Sequence, residues 1–246
     1  GFNCNHPILA EKNVRKAIEA SIPYQKLIEV VYRNEATINR LPLPIQSKNI
    51  RNNSIAFDGY NLEKAKELLA ESSWTDSDGD KVLDKEGTLL KLIYYYNSGN
   101  DERKAVGVLL QNELKKIGFQ LEVKPLEWTA YLKALRNNEI EIFMSGTVSL
   151  PLPPDFSNTF HSRSANGGRN YANYQNPLLD VLIDSINVEL DEAHRIQLLK
   201  EAQAIIAEET PYVFLISTNE RLAYSKKLQN VPIYSIRPNF WAPELY

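Results

Sequence analysis

The sequence predicts an α/β fold made as one domain, and three observations carry this. From Leu89 to Met144, segments of strand and helix periodicity alternate as β-α-β-α-β. Right-handed crossovers would make those strands substantially parallel, with helices packed on the sheet. Amphipathic helix pairs flank this unit on both sides. No repeat period and no flexible linker divides the 246 residues, a length that fits one large domain or two small ones.

Composition bounds the reading. At 43% hydrophobic and 24% charged, the chain is ordinary globular protein rather than disordered or low-complexity. A single cysteine, Cys4, excludes an intrachain disulfide framework without fixing the compartment. A net charge of -3 with no basic block argues against nucleic acid as a partner. No apolar run reaches the roughly 20 residues of a membrane span. Residues 1–7 carry neither a basic nor an apolar leader, and the only methionine is Met144. The expectation is a cytoplasmic protein, or a processed chain or piece of a longer one.

Residues 11–32 read as two helices. Val14, Ala17, Ile18 and Ser21 recur at helical spacing, with Arg15 and Lys16 on the opposite face. Pro23 stands where the second helix begins, ahead of Leu27, Ile28 and Val31. Pro42, Pro44 and several asparagines make Leu41 to Asp58 an irregular loop. Asn61 caps the next helix, with Lys64 in place of a capping-box acid and Leu62, Ala65, Leu68 and Leu69 as its apolar stripe.

Leu89 to Tyr96 is a continuous apolar and aromatic strand. The helix from Asp101 presents Val106, Leu110, Leu114 and Ile117 and stops at Gly118. Phe119, Leu121 and Val123 alternate as a strand; Trp128, Tyr131, Leu132 and Leu135 form a helix face; Ile140, Ile142 and Met144 alternate again. A second irregular stretch runs to Pro177. Two helices follow, one using Leu178, Leu182 and Ile186, the other Ile196, Leu199, Ala202 and Ile206, ended by Pro211. Tyr212 to Ile216, Arg221 to Tyr224 and Val231 to Ile236 read as short strands.

Enzyme motifs are absent: no nucleophile elbow, zinc-protease helix, P-loop or dinucleotide fingerprint. His6, His161 and His194 lack motif partners and read as surface or capping residues. Adjacent Glu208 and Glu209 point to different sides of a helix, and Glu139 and Glu141 read as a solvated strand face. The clearest local pattern is Asp76, Asp78, Asp80 and Asp84, at positions 1, 3, 5 and 9 of a calcium-type loop. Lys81 and Gly87 replace its position-6 glycine and position-12 glutamate. The turn is either a structural Ca2+ site or a plain polar turn.

In order along the chain, six segments together resemble the C-terminal lobe of the peptide/nickel family (family 5) of ABC-transporter extracellular solute-binding proteins. Residues 13–22 are similar to that family's V-R-x-A-I helix, and Tyr60 to Glu71, then Trp74 and the Asp-rich turn, to its Y-D-P-E-K-A-K helix. Leu114 to Phe119, Glu127 to Leu132, Tyr174 to Asp180 and Arg195 to Pro211 are similar to its L-x-K-I-G, E-W-x-x-Y-L, Y-x-N-P-x-x-D and A-P-terminated patterns.

The resemblance implies a periplasmic-binding-protein-like C-terminal lobe, with a mixed sheet flanked by helices. Residues 1–230 would form the ligand-binding lobe and 231–246 would run towards the hinge or first lobe, the N-terminal lobe lying outside the chain. It implies a monomeric extracytoplasmic protein, periplasmic or a cell-surface lipoprotein, with no cofactor beyond the possible Ca2+. Such a protein captures an oligopeptide or other small solute between two lobes and delivers it to a membrane permease. The rival readings are a hydrolase with two distant carboxylates, and a sensor or scaffold domain retaining the fold.

The resemblance puts the ligand at the segment after Met144, with Gly146, Thr147, Ser149 and Leu150. Peptide binders commonly place an aspartate there; here that position falls near Ser149 or Leu150, and Asp155 reads as a helix cap. Arg163, Asn166 and Tyr171, with Arg169, would form a cleft wall, where an arginine either pairs with a ligand carboxylate or is simply solvated. Trp128 and Trp241 would stack on a ligand or, for Trp128, join the core.

Overall fold

The computed structural model describes residues 1–146, 154–219, 223 and 225–227. One-turn helix α1 (Pro7–Ala10) leads into α2 (Lys12–Ala20) and α3 (Tyr24–Val30), and Pro23 takes the cap position before α3. A three-residue strand, β1 (Ala36–Ile38), follows, one that periodicity does not mark. The stretch to Asp58 is irregular, as its prolines predict. Helix α4 (Leu62–Glu71) starts where Asn61 accepts the Lys64 N–H at 3.0 Å, and buries Ala65, Leu68 and Leu69.

Strands β2 (Asp84–Lys85) and β3 (Thr88–Leu89) form a hairpin. Its two loop residues, Glu86 and Gly87, both have positive φ, 52° and 76°, which suits the twist of a two-residue hairpin. The apolar run from Leu89 is thereby split, and β4 (Lys91–Asn97) begins after it. Helix α5 (Asp101–Leu114) is capped by Asn100 and ends through a 3-10 turn at Gly118, φ 76°. Then come β5 (Gln120–Leu126), α6 (Trp128–Arg136), β6 (Ile142–Phe143), α7 (Ser157–Phe160), α8 (Pro177–Val188), α9 (Glu192–Glu209) and β7 (Ile216–Thr218).

The central sheet has the order β5-β4-β6 with both pairings parallel, in the register Leu92 with Leu121 and Tyr94 with Ile142. An antiparallel bridge from Phe2 to Ile142 makes it mixed. A separate antiparallel ladder joins β1 to β7. Pro125 sits on edge strand β5, where its missing N–H breaks no ladder. The main core lies between the sheet and α2, α4 and α5. A second cluster gathers α7, α8 and α9 over Leu43.

Several expectations are corrected. Arg15 is not on a solvated face: it is 3% exposed. Strand β6 does not alternate, since Ile142 and Phe143 are both buried, one in the main core and the other against α6, while Met144 is half-buried. Glu141 does more than solvate: its Oε2 accepts the Ile93 N–H at 2.6 Å, taking a place the ladder would otherwise fill and keeping β6 short. On α8 the buried stripe is Leu179, Ile183 and Ile186, and Leu178 is exposed. Asn176 caps the Leu178 and Leu179 amides and Pro177 opens the helix, setting the register one residue later.

Trp128, at the first residue of α6, is 50% exposed and stacks on Tyr131 rather than joining the core. The strand expected at Tyr212 starts only at Ile216; Tyr212 and Phe214 instead pack on Phe160. His161 is a capping residue, accepting the Arg163 N–H, and is buried. Of the strand expected at Arg221 to Tyr224 only Ala223 is described, and it is in no strand; the strand expected at Val231 to Ile236, the segment 231–246 and Trp241 lie outside the described residues.

Arg15 explains how the flanking helices are held. Its Nη1 donates to the Leu9 and Ala10 carbonyls at 2.8 and 3.0 Å, at the end of α1. Its Nε and Nη2 donate to the Glu209 and Thr210 carbonyls at the end of α9. Helix C-termini leave carbonyls without partners and carry a partial negative charge. One guanidinium satisfies two such ends together. Truncating it would strand buried carbonyls, so Arg15→Ala should lose about 3 kcal/mol or more. Arg15→Lys should recover little of this, because an ammonium cannot span four acceptors in a plane. Urea unfolding of both variants checks this.

A second buried charge ties α5 to the turn before α4. Glu113 is 2% exposed and accepts the Tyr60 hydroxyl at 2.6 Å, with Lys116 and Lys26 beside it. Burial pushes its carboxyl up, but Lys116, Tyr60 and Lys26 outweigh that and hold it below its usual 4.5. Its contribution is therefore present above the unfolded value and lost as pH falls through the folded one. Glu113→Gln should be less stable than wild type at neutral pH, with the gap closing on acidification below about pH 4. Denaturation midpoints measured across pH decide this.

Candidate functional site

Parallel strands deliver their following loops to one edge of the sheet, which is where α/β folds place ligands. Here β4 leads through Asn100 into α5, and β6 leads into Met144, Ser145 and Gly146. A cavity of about 1140 Å³ opens at this edge. Tyr94, Ile142 and Phe143 of the sheet line it. Asn100, Glu102 and Arg103 at the start of α5 also line it, as do Tyr32, Asn39, Arg169 and Tyr171. The hydrophobic residues Leu27, Val106, Phe214 and Leu215 complete much of the wall.

The hydroxyls here are neutral donors. Tyr94 donates to the Arg103 carbonyl at 2.9 Å and Tyr131 to the Met144 carbonyl at 2.9 Å. Burial pushes the Tyr94 hydroxyl far up and that of Tyr131 to about 12. Tyr32 is likewise pushed up to about 12 by burial, reinforced by Glu102 and opposed by Arg103. The Arg103 guanidinium donates to Asn97 Oδ1 at 2.8 Å, pinning the end of β4 to the start of α5. Glu102 is the sole carboxylate among the described lining residues.

Of the candidate ligand-binding residues singled out from sequence, Gly146, Arg169 and Tyr171 reach the cavity wall. Tyr171 sets its ring edge-on to Phe143, with centroids 6.3 Å apart. Arg163 and Asn166 are not among the described lining residues. Arg163 pairs with Asp184 at 3.1 Å and donates to Ser157 Oγ at 3.2 Å. Asn166 donates its N–H to Asn173 Oδ1 and accepts from Asn138 Nδ2. Thr147, Ser149 and Leu150 lie outside the described residues. Asp155 accepts the Ser157 N–H at 2.7 Å, at the start of α7. Asn39, Asn100, Glu102 and Arg103 were not singled out. The available signal for the last three was their place, directly after a parallel strand and opening its helix.

The Asp-rich turn lies apart from this cavity. It brings carboxylate oxygens of Asp76, Asp78 and Asp80 within 4.8 Å of one another, all exposed. Asp84 turns instead to Ser77, accepting its N–H and hydroxyl at 3.0 and 2.7 Å. Asp76 accepts the Gly79 and Lys81 amides, Asp78 that of Asp80, and Asp80 that of Val82. These hydrogen bonds shape the turn through its own backbone amides.

Residues 1–168 match the family model of the bacterial extracellular solute-binding proteins, family 5, middle region. The chain belongs to this family. Among family 5 relatives, the oligopeptide-binding protein AppA of Bacillus subtilis is 30% identical over 235 residues, covering 93% of this chain and 42% of that protein. Its crystal structure with a nonapeptide superposes with a TM-score of 0.88 at 29% identity, over 97% of this chain and 47% of that one. The mannohexaose-bound oligopeptide-binding protein of Thermotoga maritima shares the fold, with a TM-score of 0.80 at 21% identity, over 97% and 46% of the two chains. This chain spans less than half the length of these relatives. No helix of the described residues is long and apolar enough to cross a membrane.

The loop bearing Tyr171 is tightly packed at Gly168. A Cβ there would stand 2.2 Å from the Ser164 carbonyl oxygen, whereas one on Gly146 would meet nothing within 4 Å among the described residues. Gly168→Ala should cost about 1–3 kcal/mol through forced backbone movement. Gly146→Ala should leave stability unchanged. Thermal melts of the two variants compare them directly.

Proposed function

We propose that this chain is the ligand-binding lobe of a solute-binding protein serving an ABC importer. It captures an oligopeptide or related small solute and delivers it to a membrane permease, as a monomer outside the cytoplasm, in the periplasm or on the cell surface as a lipoprotein. The observation that carries this is the cavity at the carboxyl edge of the parallel sheet in a family 5 chain. Its roughly 1140 Å³ exceeds the ~300–1,000 Å³ usual for small-molecule sites, which favours an extended solute. The nonapeptide-bound relative supports the same class.

In this reading Gly146 and Tyr171 contact the solute, as do Thr147, Ser149 and Leu150, and Arg163 and Asn166 brace the loop behind Tyr171. Neutral tyrosine hydroxyls and apolar side chains bind without chemistry. A two-carboxylate hydrolase finds no support, since Glu102 has no acidic partner among the described lining residues.

A facing lobe, supplied by the additional length seen in the relatives, would close over this cavity. Burial and closure provide most of the affinity for an extended ligand. The 246-residue chain should therefore fold yet bind its solute at least tenfold more weakly than the full-length protein. Mass spectrometry of solute co-purified with the full-length protein identifies the ligand, and calorimetry on both chains measures the ratio. Equal affinities would refute the two-lobed reading.

A further inference from the structure

Resting on the solute-binding reading above, we infer that His161 is a positioning residue for the cavity wall, and that protonation of its ring loosens the wall, so that solute affinity falls on mild acidification. His161 is buried and is not among the described lining residues. Its Nδ1 accepts the Arg163 N–H at 3.1 Å and so caps the 3-10 turn Ser162–Ser164. An accepting Nδ1 carries no proton, so the neutral ring holds its proton on Nε2. Nε2 stands 3.4 Å from Asp184 Oδ2. The charged groups at the ring are Asp180 and Asp184 of α8 and Arg163 of its own turn. Asp180 Oδ1 is 3.4 Å from Nδ1 and already accepts the Ser162 N–H at 2.8 Å. The Arg163 guanidinium is drawn away to Asp184 and Ser157. On the α7 side, Asp155 is turned to the Ser157 N–H.

The capped turn carries the wall directly. Asn170, 1% exposed, donates its N–H to the Ser164 carbonyl at 2.9 Å and its Nδ2 to the His161 carbonyl at 3.3 Å. Arg169 and Tyr171, on either side of Asn170, both line the cavity. Gly168 packs on the same Ser164. An imidazole changes charge between about pH 5 and 8. When Nδ1 takes up a proton it becomes a donor facing another donor, the Arg163 N–H, and the cap is broken. The imidazolium has a partner elsewhere: Asp180 Oδ1 lies within reach, at a separation that shortens when a charged N–H donates to a carboxylate. The ring then leaves the turn for α8. The turn loses the bond that fixed it, and the backbone behind Tyr171 loses part of its support. A solute that needs the ordered wall binds the neutral state better, and acid works against it.

The test compares the full-length protein at about pH 5 and pH 7 by two readouts. Pentaalanine is the calorimetric probe, because its termini keep their charges across that range. Hydrogen exchange of residues 161–171, corrected for the intrinsic effect of pH on amide exchange, reports loosening without any solute. Wild type should bind about fivefold more weakly at the lower pH, the scale of one lost cap bond, and the segment should lose protection by a similar factor. His161→Asn supplies a cap acceptor that does not titrate, and should show the neutral-pH behaviour at both values. Asp180→Asn keeps an acceptor for the Ser162 N–H but removes the charge that draws the ring, and should move the change to lower pH. His194→Gln, at an exposed histidine on α9, should keep the whole dependence. Equal wild-type affinities at the two pH values, unchanged exchange, or a dependence that survives His161→Asn overturns the inference and leaves solute binding standing. Should His161→Asn not fold, an unmoved transition in Asp180→Asn overturns it instead. If pentaalanine binds at neither pH, the peptide reading fails, and the exchange measurements alone decide the inference.

Discussion

The arrangement of this chain depends on one buried guanidinium. Arg15 projects from α2 into the place where α1 and α9 both end, and collects carbonyls from each. A charged group this deep is costly to desolvate, and it persists because its donors meet carbonyl acceptors and the Glu209 carboxylate lies 3.9 Å away. Position follows from this. The end of α9 is fixed beside α1, so Pro211 lies where its carbonyl accepts the Phe2 N–H at 3.1 Å. Phe2 in turn bridges to Ile142 on the sheet edge. The helical flank is thus registered against the sheet through a few adjacent contacts.

The cavity follows from that registration. Strand β6 is buried on both faces because the first residues of the chain cover its edge and α6 covers one side. Phe143 then becomes the surface on which Tyr171 and Tyr212 stand edge-on. Aromatic edges on a common ring fix distance and tilt better than aliphatic contacts do. Three separate parts of the sequence are thereby brought to one wall.

Much of the fold was legible because periodicity was strong where packing was one-sided. The β4-α5-β5-α6-β6 unit, its parallel pairing and the Gly118 stop are all visible in residue spacing. Arg15 was not, because an arginine on an amphipathic helix reads as solvent-facing until its acceptors, distant in sequence, are known. Strand β1 was missed because three residues cannot establish a period. The shift from Leu178 to Leu179 came from a cap that resets helix phase. For the site, Gly146 follows from the edge at which parallel strands deliver their loops, whereas Tyr171 rests on the family resemblance. That Arg163 meets Asp184 while Arg169 faces the cavity depends on turn geometry that composition does not encode.

The pairing of β1 with β7 and the contact of Arg15 with Glu209, 194 residues apart, have a consequence for the order in which the chain assembles. Strands β4 and β5 are separated by a single helix, and loop-closure entropy favours such near neighbours early. The long-range ties close last. Until they do, the wall formed by Tyr212, Phe214 and Leu215 is absent, and the apolar faces it covers stay open to water. The cavity wall is therefore a property of the fully folded chain alone, and a nascent or partly folded one exposes apolar surface to chaperones and proteases in its place.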